Sequence, residues 1–432
     1  GGTGNEVLSA DAGNDQASGD AGDDSLDGGL GNDSLNGNDG HDRLFGNDGA
    51  DVLDGGSGDD DIHGEAGNDI ARGGNGNDWL FGDEGADSLD GGAGNDRLDG
   101  GGGDDNLIGG DGIDFADYGT GTIGVNIDLE LNIATEDGHG GTDTLAEIEN
   151  ISGSDFDDII RGDASDNVLD GGAGDDILAG GAGDDDLIGG AGSDTADFTR
   201  AASGVTANLA TGNAADDGDG GTDTLTDIEN LIGSDYADNL TGNADDNRID
   251  GGAGSDVIDG GAGLDTVDYS SLPGASAIDV TLNGNVNSTV TVTGGDNDTI
   301  RNIENVTGTG GNDVIIGDNN NNIFIGGNGD DYLEGRGGDD NLQGGSGNDT
   351  ASYANATAGV NIDLTTGVVL NDGDGGTDTL GSIENIVGTT SADVIYGNNA
   401  DNILTGGNGN DILGGRGGAD VLDGGSGTDT AN

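Results

Sequence analysis

Cysteine and methionine are absent from the 432 residues, aromatic residues make up 3%, and Lys and Arg together number 9. Without cysteine there is no disulfide to staple a fold, so the chain must be held by something else, and a bound metal is the natural alternative. No apolar run approaches the roughly 18 residues that a membrane-crossing helix needs, so membrane insertion is excluded. Against the 9 basic residues stand 88 Asp and Glu, a net charge of −79, which repels nucleic acid as a partner. Only 30% of the residues are apolar, and a polyanion of that composition is expected to be disordered in plain water. An initiating Met and a signal-like leader are also missing, so residue 1 reads as an internal position of a longer product.

What the chain has is one nine-residue word, Gly-Gly-x-Gly-x-Asp-x-Leu-x. It is plain in Gly28-Gly29-Leu30-Gly31-Asn32-Asp33-Ser34-Leu35-Asn36 and in the copies opening at Gly55, Gly73 and Gly91. The word fits 32 times: 13 copies in 1–117, 5 in 153–197, 4 in 233–268, 5 in 308–352 and 5 in 388–432. Its eighth position is apolar in all 32, and its sixth is Asp in 27, Glu once (Glu6) and Asn in four. The glycine-rich first six residues read as a tight turn. The last three form a strand too short to stand alone. One apolar side chain per nine residues is buried only if copies stack and merge those side chains into a continuous interior column. The strands then lie parallel at about 4.8 Å per coil.

Stacking also brings the sixth-position aspartates into register. Two unit charges about 5 Å apart at an effective dielectric near 20 repel by roughly 3 kcal/mol, and the chain has too few cations of its own to offset that. Carboxylates beside turn carbonyls are hard oxygen ligands that suit Ca²⁺ better than Na⁺ or the reluctantly dehydrated Mg²⁺. Calcium is therefore the expected cofactor.

The repeated word resembles the nonapeptide of the RTX family, also called haemolysin-type calcium-binding repeats. The resemblance implies an all-β fold: a right-handed parallel β-roll solenoid with two nonapeptides per coil and Ca²⁺ between stacked turns. It implies as calcium ligands, with nearby turn carbonyls, Asp15, Asp24, Asp33, Asp42, Asp51, Asp60, Asp69, Asp78, Asp87, Asp96, Asp105 and Asp114 in the first block. Beyond it the implied ligands are Asp158, Asp176, Asp185, Asp194, Asp238, Asp256, Asp265, Asp313, Asp331, Asp340, Asp349, Asp393, Asp411, Asp420 and Asp429. Asn167, Asn247, Asn322 and Asn402 replace the aspartate in the second word of each later block. Those turns are expected to bind calcium poorly or not at all, and to stack as amide ladders instead.

A longer repeat contains the short one. Ile148-Glu149-Asn150-Ile151 returns at Ile228, Ile303 and Ile383, with spacings of 80, 75 and 80 residues. The chain divides into an uninterrupted roll, 1–117, and four cassettes, 118–197, 198–268, 269–352 and 353–432, each opened by an insert. The inserts (118–152, 198–232, 269–307 and 353–387) begin with Tyr118, Phe198, Tyr269 and Tyr353. Alternation such as Val125-Asn126-Ile127-Asp128-Leu129 reads as a strand with one buried face. We expect the inserts to form wider coils filled by the aromatic residues. Three of them carry an oxygen-rich loop such as Asp372-Gly373-Asp374-Gly375-Gly376-Thr377-Asp378, read either as a further calcium site or as a solvated hairpin.

Nothing points to an enzyme. Among 88 carboxylates, pairs at any spacing are inevitable. His41, His63 and His139 fall in separate stretches and form no ligand cluster, and no Gly-x-Ser-x-Gly elbow, zinc-binding His pair or phosphate-cradling loop occurs. The favoured reading is a secreted, extracellular or cell-surface protein that folds on calcium into a rigid rod. Its role would be structural or adhesive, in a surface layer, matrix or filament, with copies of itself as partners through end-to-end or lateral stacking. At about 4.8 Å per coil the words alone make about 77 Å of rod, extended by the inserts to about 110 Å. On the order of one ion per intact turn, some 25 in all, would bring the charge to about −29. The alternative is a calcium-dependent folding and type I secretion module of a larger secreted enzyme or toxin.

Overall fold

In the computed structural model, which describes residues 2–274 and 276–432, the regular structure is β throughout, in strands of two to six residues with no helix among the described residues. The strand of each word pairs in parallel with the strand 18 residues later: Leu8 faces Leu26, Leu26 faces Leu44 and Leu44 faces Ile62. The words between them build a second ladder, in which Ala17, Leu35, Leu53 and Ala71 are in register. A step of 18 residues is two words, so each coil consists of strand, turn, strand, turn. The result is a parallel β-roll.

The eighth-position side chains of both ladders point inward. From Leu26 to Leu413 none of them is more than 1% exposed. Full burial of a Leu or Ile contributes about 1.5–3 kcal/mol, and here it exists only because neighbouring coils supply the walls. The turns are shaped to allow that approach. Gly31 has φ of 120°, and a Cβ on it would overlap the carbonyl oxygen of Gly13 in the coil before.

The inserts gain their width from a three-strand antiparallel meander laid into one ladder. In the first, Asp143–Ala146 pairs in parallel with Asn106–Asp111, while Asn126–Asp128 pairs in parallel with Ile159–Arg161. Ile133–Glu136 lies antiparallel between them. The opposite ladder gains one rung from the same insert, Asn150–Ser152, between Phe115–Asp117 and Val168–Ala173. The fourth insert repeats the meander with Asn361–Asp363, Val368–Asn371 and Asp378–Gly381. The third does so with Ile278–Thr281, Ser288–Val292 and Asp298–Arg301. The leading aromatic residues Tyr118, Phe198, Tyr269 and Tyr353 are all buried. By contact density the chain forms two compact units, one of Gly1–Asp197 with Gly212–Ile228, the other of Phe198–Thr211 with Glu229–Asn432.

Candidate metal centre

The turn columns carry the chemistry. The backbone N–H of each sixth-position residue donates to Oδ1 of the sixth-position aspartate one coil later: Asp24 to Asp42 at 2.7 Å, Asp42 to Asp60 at 2.8 Å and Asp60 to Asp78 at 2.8 Å. The second column does the same, from Asp33 through Asp51 and Asp69 to Asp87, at 2.7 Å each. At the exposed fifth position the contact runs the opposite way. There the later residue donates to the earlier side chain, as Asn77 does to Asp59 and Asn95 to Asn77.

Each sixth-position carboxylate thus uses one oxygen to tie two coils together. Its other oxygen is left over. From Asp24 through Asp114 in the first block, Oδ2 is buried and has no hydrogen-bond partner among the described residues. The same holds for Asp176, Asp185, Asp256, Asp265, Asp331, Asp340, Asp349 and Asp411, and Asp194 is buried in the same column and accepts from Asp176 N–H at 2.9 Å. A buried charge without a partner is costly, and burial raises the pKa of several of these groups accordingly. Burial pushes Asp60, Asp78, Asp87 and Asp105 up to about 7 despite the N–H each accepts, with neighbouring carboxylates adding to the shift.

The surroundings of these oxygens fit a hard divalent cation. A Cβ placed on Gly46, at the first position of its word, would stand 2.6 Å from Asp51 Oδ2 and 2.7 Å from the Gly64 carbonyl oxygen. Carboxylate and carbonyl therefore face one small space that stays open only because the residue is glycine. Gly64 repeats this with Asp69 Oδ2 at 2.6 Å and the Gly82 carbonyl at 2.8 Å. No three His, Cys, Asp or Glu side chains converge on one point among the described residues. A site of this form would hold an ion with the bare carboxylate oxygen and the turn carbonyl it faces, together with the neighbouring turn, an all-oxygen set of the kind calcium takes. When bound, the ion supplies the positive charge that these turns lack.

Not every expected ligand has this form. Asp158, Asp238, Asp313 and Asp393 have both oxygens hydrogen-bonded, in words whose second glycine is replaced by Ser154, Ser234, Thr309 and Thr389. Each donates its backbone N–H to Oδ2 and its hydroxyl to Oδ1 at 2.6–2.9 Å. Asp15 and Asp420 are half-buried and Asp429 is exposed. The four asparagines complete their turns without a cation. Asn167 accepts the Asp163 N–H at 2.9 Å and donates from Nδ2 to the Glu149 carbonyl at 2.6 Å. Asn247, Asn322 and Asn402 donate likewise to the carbonyls of Glu229, Glu304 and Glu384 at 2.8 Å. These amides do not stack on one another as expected: there is one per cassette, and its partner is a backbone carbonyl.

The columns also recruit acids that the nonapeptide frame passes over. Asp143, Asp223, Asp298 and Asp378 accept from the N–H of Asp105, Asp185, Asp256 and Asp340 at 2.9–3.2 Å. Glu149, Glu304 and Glu384 accept from Asp114, Asp265 and Asp349 at 2.9–3.0 Å. All seven stand two residues before a buried apolar residue, Leu145, Leu225, Ile300, Leu380, Ile151, Val306 or Ile386, the same acid-x-apolar spacing as in the word. That spacing was the available signal. His41 takes a fifth position, its N–H donating to Asp23 Oδ1 at 3.2 Å, and His63 stacks between Phe45 and Phe81, ring centres 5.2 and 4.5 Å away.

No curated protein matches the chain. The family model for the RTX calcium-binding nonapeptide repeat, built from four copies, matches residues 1–35, 36–71, 54–89, 63–98, 81–116, 137–178, 162–196, 232–267, 302–333, 316–351, 381–413 and 396–431, together well over half of the sequence. On this match, and with the columns of paired turn carboxylates that the repeats build, the chain belongs to the RTX calcium-binding nonapeptide repeat family.

Proposed function

We propose that this is a secreted calcium-binding protein whose β-roll forms when calcium neutralises its turns, and that the braced roll itself is the function, as a stiff structural or adhesive element outside the cell and not as an enzyme. The observation that carries this reading is the run of buried, unpartnered carboxylate oxygens from Asp24 to Asp114. A fold that left so many charges uncompensated would not persist in water, so cation binding and folding should be a single event. Release into an environment rich in calcium then doubles as the signal to fold. Copies of the chain are the expected partner, and no active site is needed.

Circular dichroism during calcium titration and chelation tests the first part. Strand signal should appear with calcium and vanish with EDTA; a chain equally folded after exhaustive chelation would refute it. Sedimentation of the calcium-loaded chain over a range of concentrations tests the second part. A structural element should assemble, whereas strictly monomeric behaviour at every concentration would favour a folding and export module.

A further inference from the structure

Three of the four inserts contain a carboxylate that the columns do not explain. Asp137, Asp217 and Asp372 stand six residues before Asp143, Asp223 and Asp378, at the head of the loop that closes each meander. Oδ1 of each organises its loop: that of Asp217 accepts from the N–H groups of Asp219, Gly220 and Gly221 at 2.8–2.9 Å. That of Asp372 accepts from Asp374, Gly375 and Gly376 at 2.8–2.9 Å, and that of Asp137 from His139 and Gly141 at 2.7 and 2.9 Å. Oδ2 of each has no hydrogen-bond partner among the described residues, although the side chains are 1%, 1% and 0% exposed.

These oxygens point into the turn. A Cβ on Gly221 would stand 2.9 Å from Asp217 Oδ2 and would overlap the Gly183 carbonyl oxygen; on Gly376 it would stand 3.0 Å from Asp372 Oδ2 and would overlap the Gly338 carbonyl. The next acids of the column, Asp185 and Asp223 in one insert and Asp105 and Asp143 in another, also carry buried unpartnered Oδ2 atoms. Organising the loop does not require a charge, because an asparagine Oδ1 accepts the same N–H groups. This fold places asparagine at turns that are complete without a cation, as at Asn167 and Asn322. The third insert, by contrast, has Val292 six residues before Asp298.

We propose that the loops headed by Asp137, Asp217 and Asp372 are additional calcium sites, in each of which this carboxylate and the carbonyl it faces, of Gly103, Gly183 or Gly338, hold an ion beside the column acids. The inference rests on the calcium reading above and adds to it a second class of site. With the charge of a further carboxylate beside the column acids, these three fill at lower calcium than the rest and seed the roll at the inserts.

Calcium bound per chain at buffered free concentrations tests this on the full chain. Asp217→Asn and, separately, Asp372→Asn keep the loop contacts and should each remove one ion from the tightest class, and the triple variant with Asp137→Asn should remove three. Strand signal at saturating calcium should be retained. An unchanged count in the single variants overturns the inference, while a wild-type chain that binds no calcium overturns the functional reading instead. Terbium needs no variant. Tyr353 donates to Asp378 Oδ2 at 2.9 Å and Tyr118 opens the first insert, while the second opens with Phe198, so tyrosine-sensitised emission should rise most steeply with the first equivalents, from the sites of the first and fourth inserts. Emission that grows evenly over the whole titration also overturns the proposal, whatever the variants do.

Discussion

Asp340 and Asn322 are neighbours in one column, joined by a 2.8 Å bond from the Asn322 N–H to Asp340 Oδ1, yet one leaves a buried oxygen bare and the other leaves nothing. The amide nitrogen of Asn322 occupies with a donor the place where a carboxylate would require a cation. Asn322→Asp should therefore cost about 1–3 kcal/mol without calcium and add one bound ion at saturating calcium, readable by chelator melts and by ion counting. Protonation is the other way to quiet these groups. Asp60, Asp78, Asp87 and Asp105 are held at about 7 in the metal-free fold by burial, against about 3.9 in an unfolded chain. A raised folded value means stability that is fully present below about pH 4 and lost as pH rises through about 7. In EDTA, strand content should thus be greater at pH 5 than at pH 8, and calcium affinity should fall as pH drops below about 7. A flat pH profile of circular dichroism in chelator would contradict this assignment.

At the scale of a strand and its turn, the word alone made the two interior columns legible, because every eighth residue is apolar while its neighbours are not. Phe324 and Leu342 stack in register as expected. Phe324→Ala should cost about 3–5 kcal/mol, measured by thermal melts at fixed calcium. Gly64→Ala separates the turn from the strand. Its Cβ would enter the space between Asp69 Oδ2 and the Gly82 carbonyl, so the calcium midpoint should rise several-fold while the saturated fold survives. The inserts were less legible. Their alternating strands stand out, but Ile133–Glu136 pairs antiparallel on both sides, and three or four residues of strand do not declare their direction. The ladder acids Asp143 and Glu149 escaped a search tied to the nonapeptide frame, since the inserts keep the acid-to-apolar spacing but set the double glycine two residues closer to Asp143 and omit it before Glu149. Ser154 and Thr309 escaped for a different reason: a hydroxyl at a glycine position looks conservative until it is seen bonded to the carboxylate four residues on.

For the whole molecule the dominant quantity is a charge of −79. Sodium at about 1 M shortens the screening length to about 3 Å but places no charge inside a buried turn. Monovalent salt should leave the chain unfolded in EDTA where millimolar calcium folds it, and refolding by sodium chloride alone would argue against specific sites. Because each coil touches only its neighbours, loss of one site should be felt locally and the remaining coils should keep their calcium response.

The two contacts that join successive turns also give a stack polarity. At sixth positions the earlier coil gives an N–H and the later one receives it on a carboxylate. A coil with nothing after it therefore shows bare donors at its sixth positions, and one with nothing before it bare acceptors, while the fifth positions show the reverse. Faces of the same kind set amide against amide or carboxylate against carboxylate and repel, whereas unlike faces repeat the internal joint. The direction of bonding is therefore fixed along each ladder, and a coil turned end over end would not fit between its neighbours.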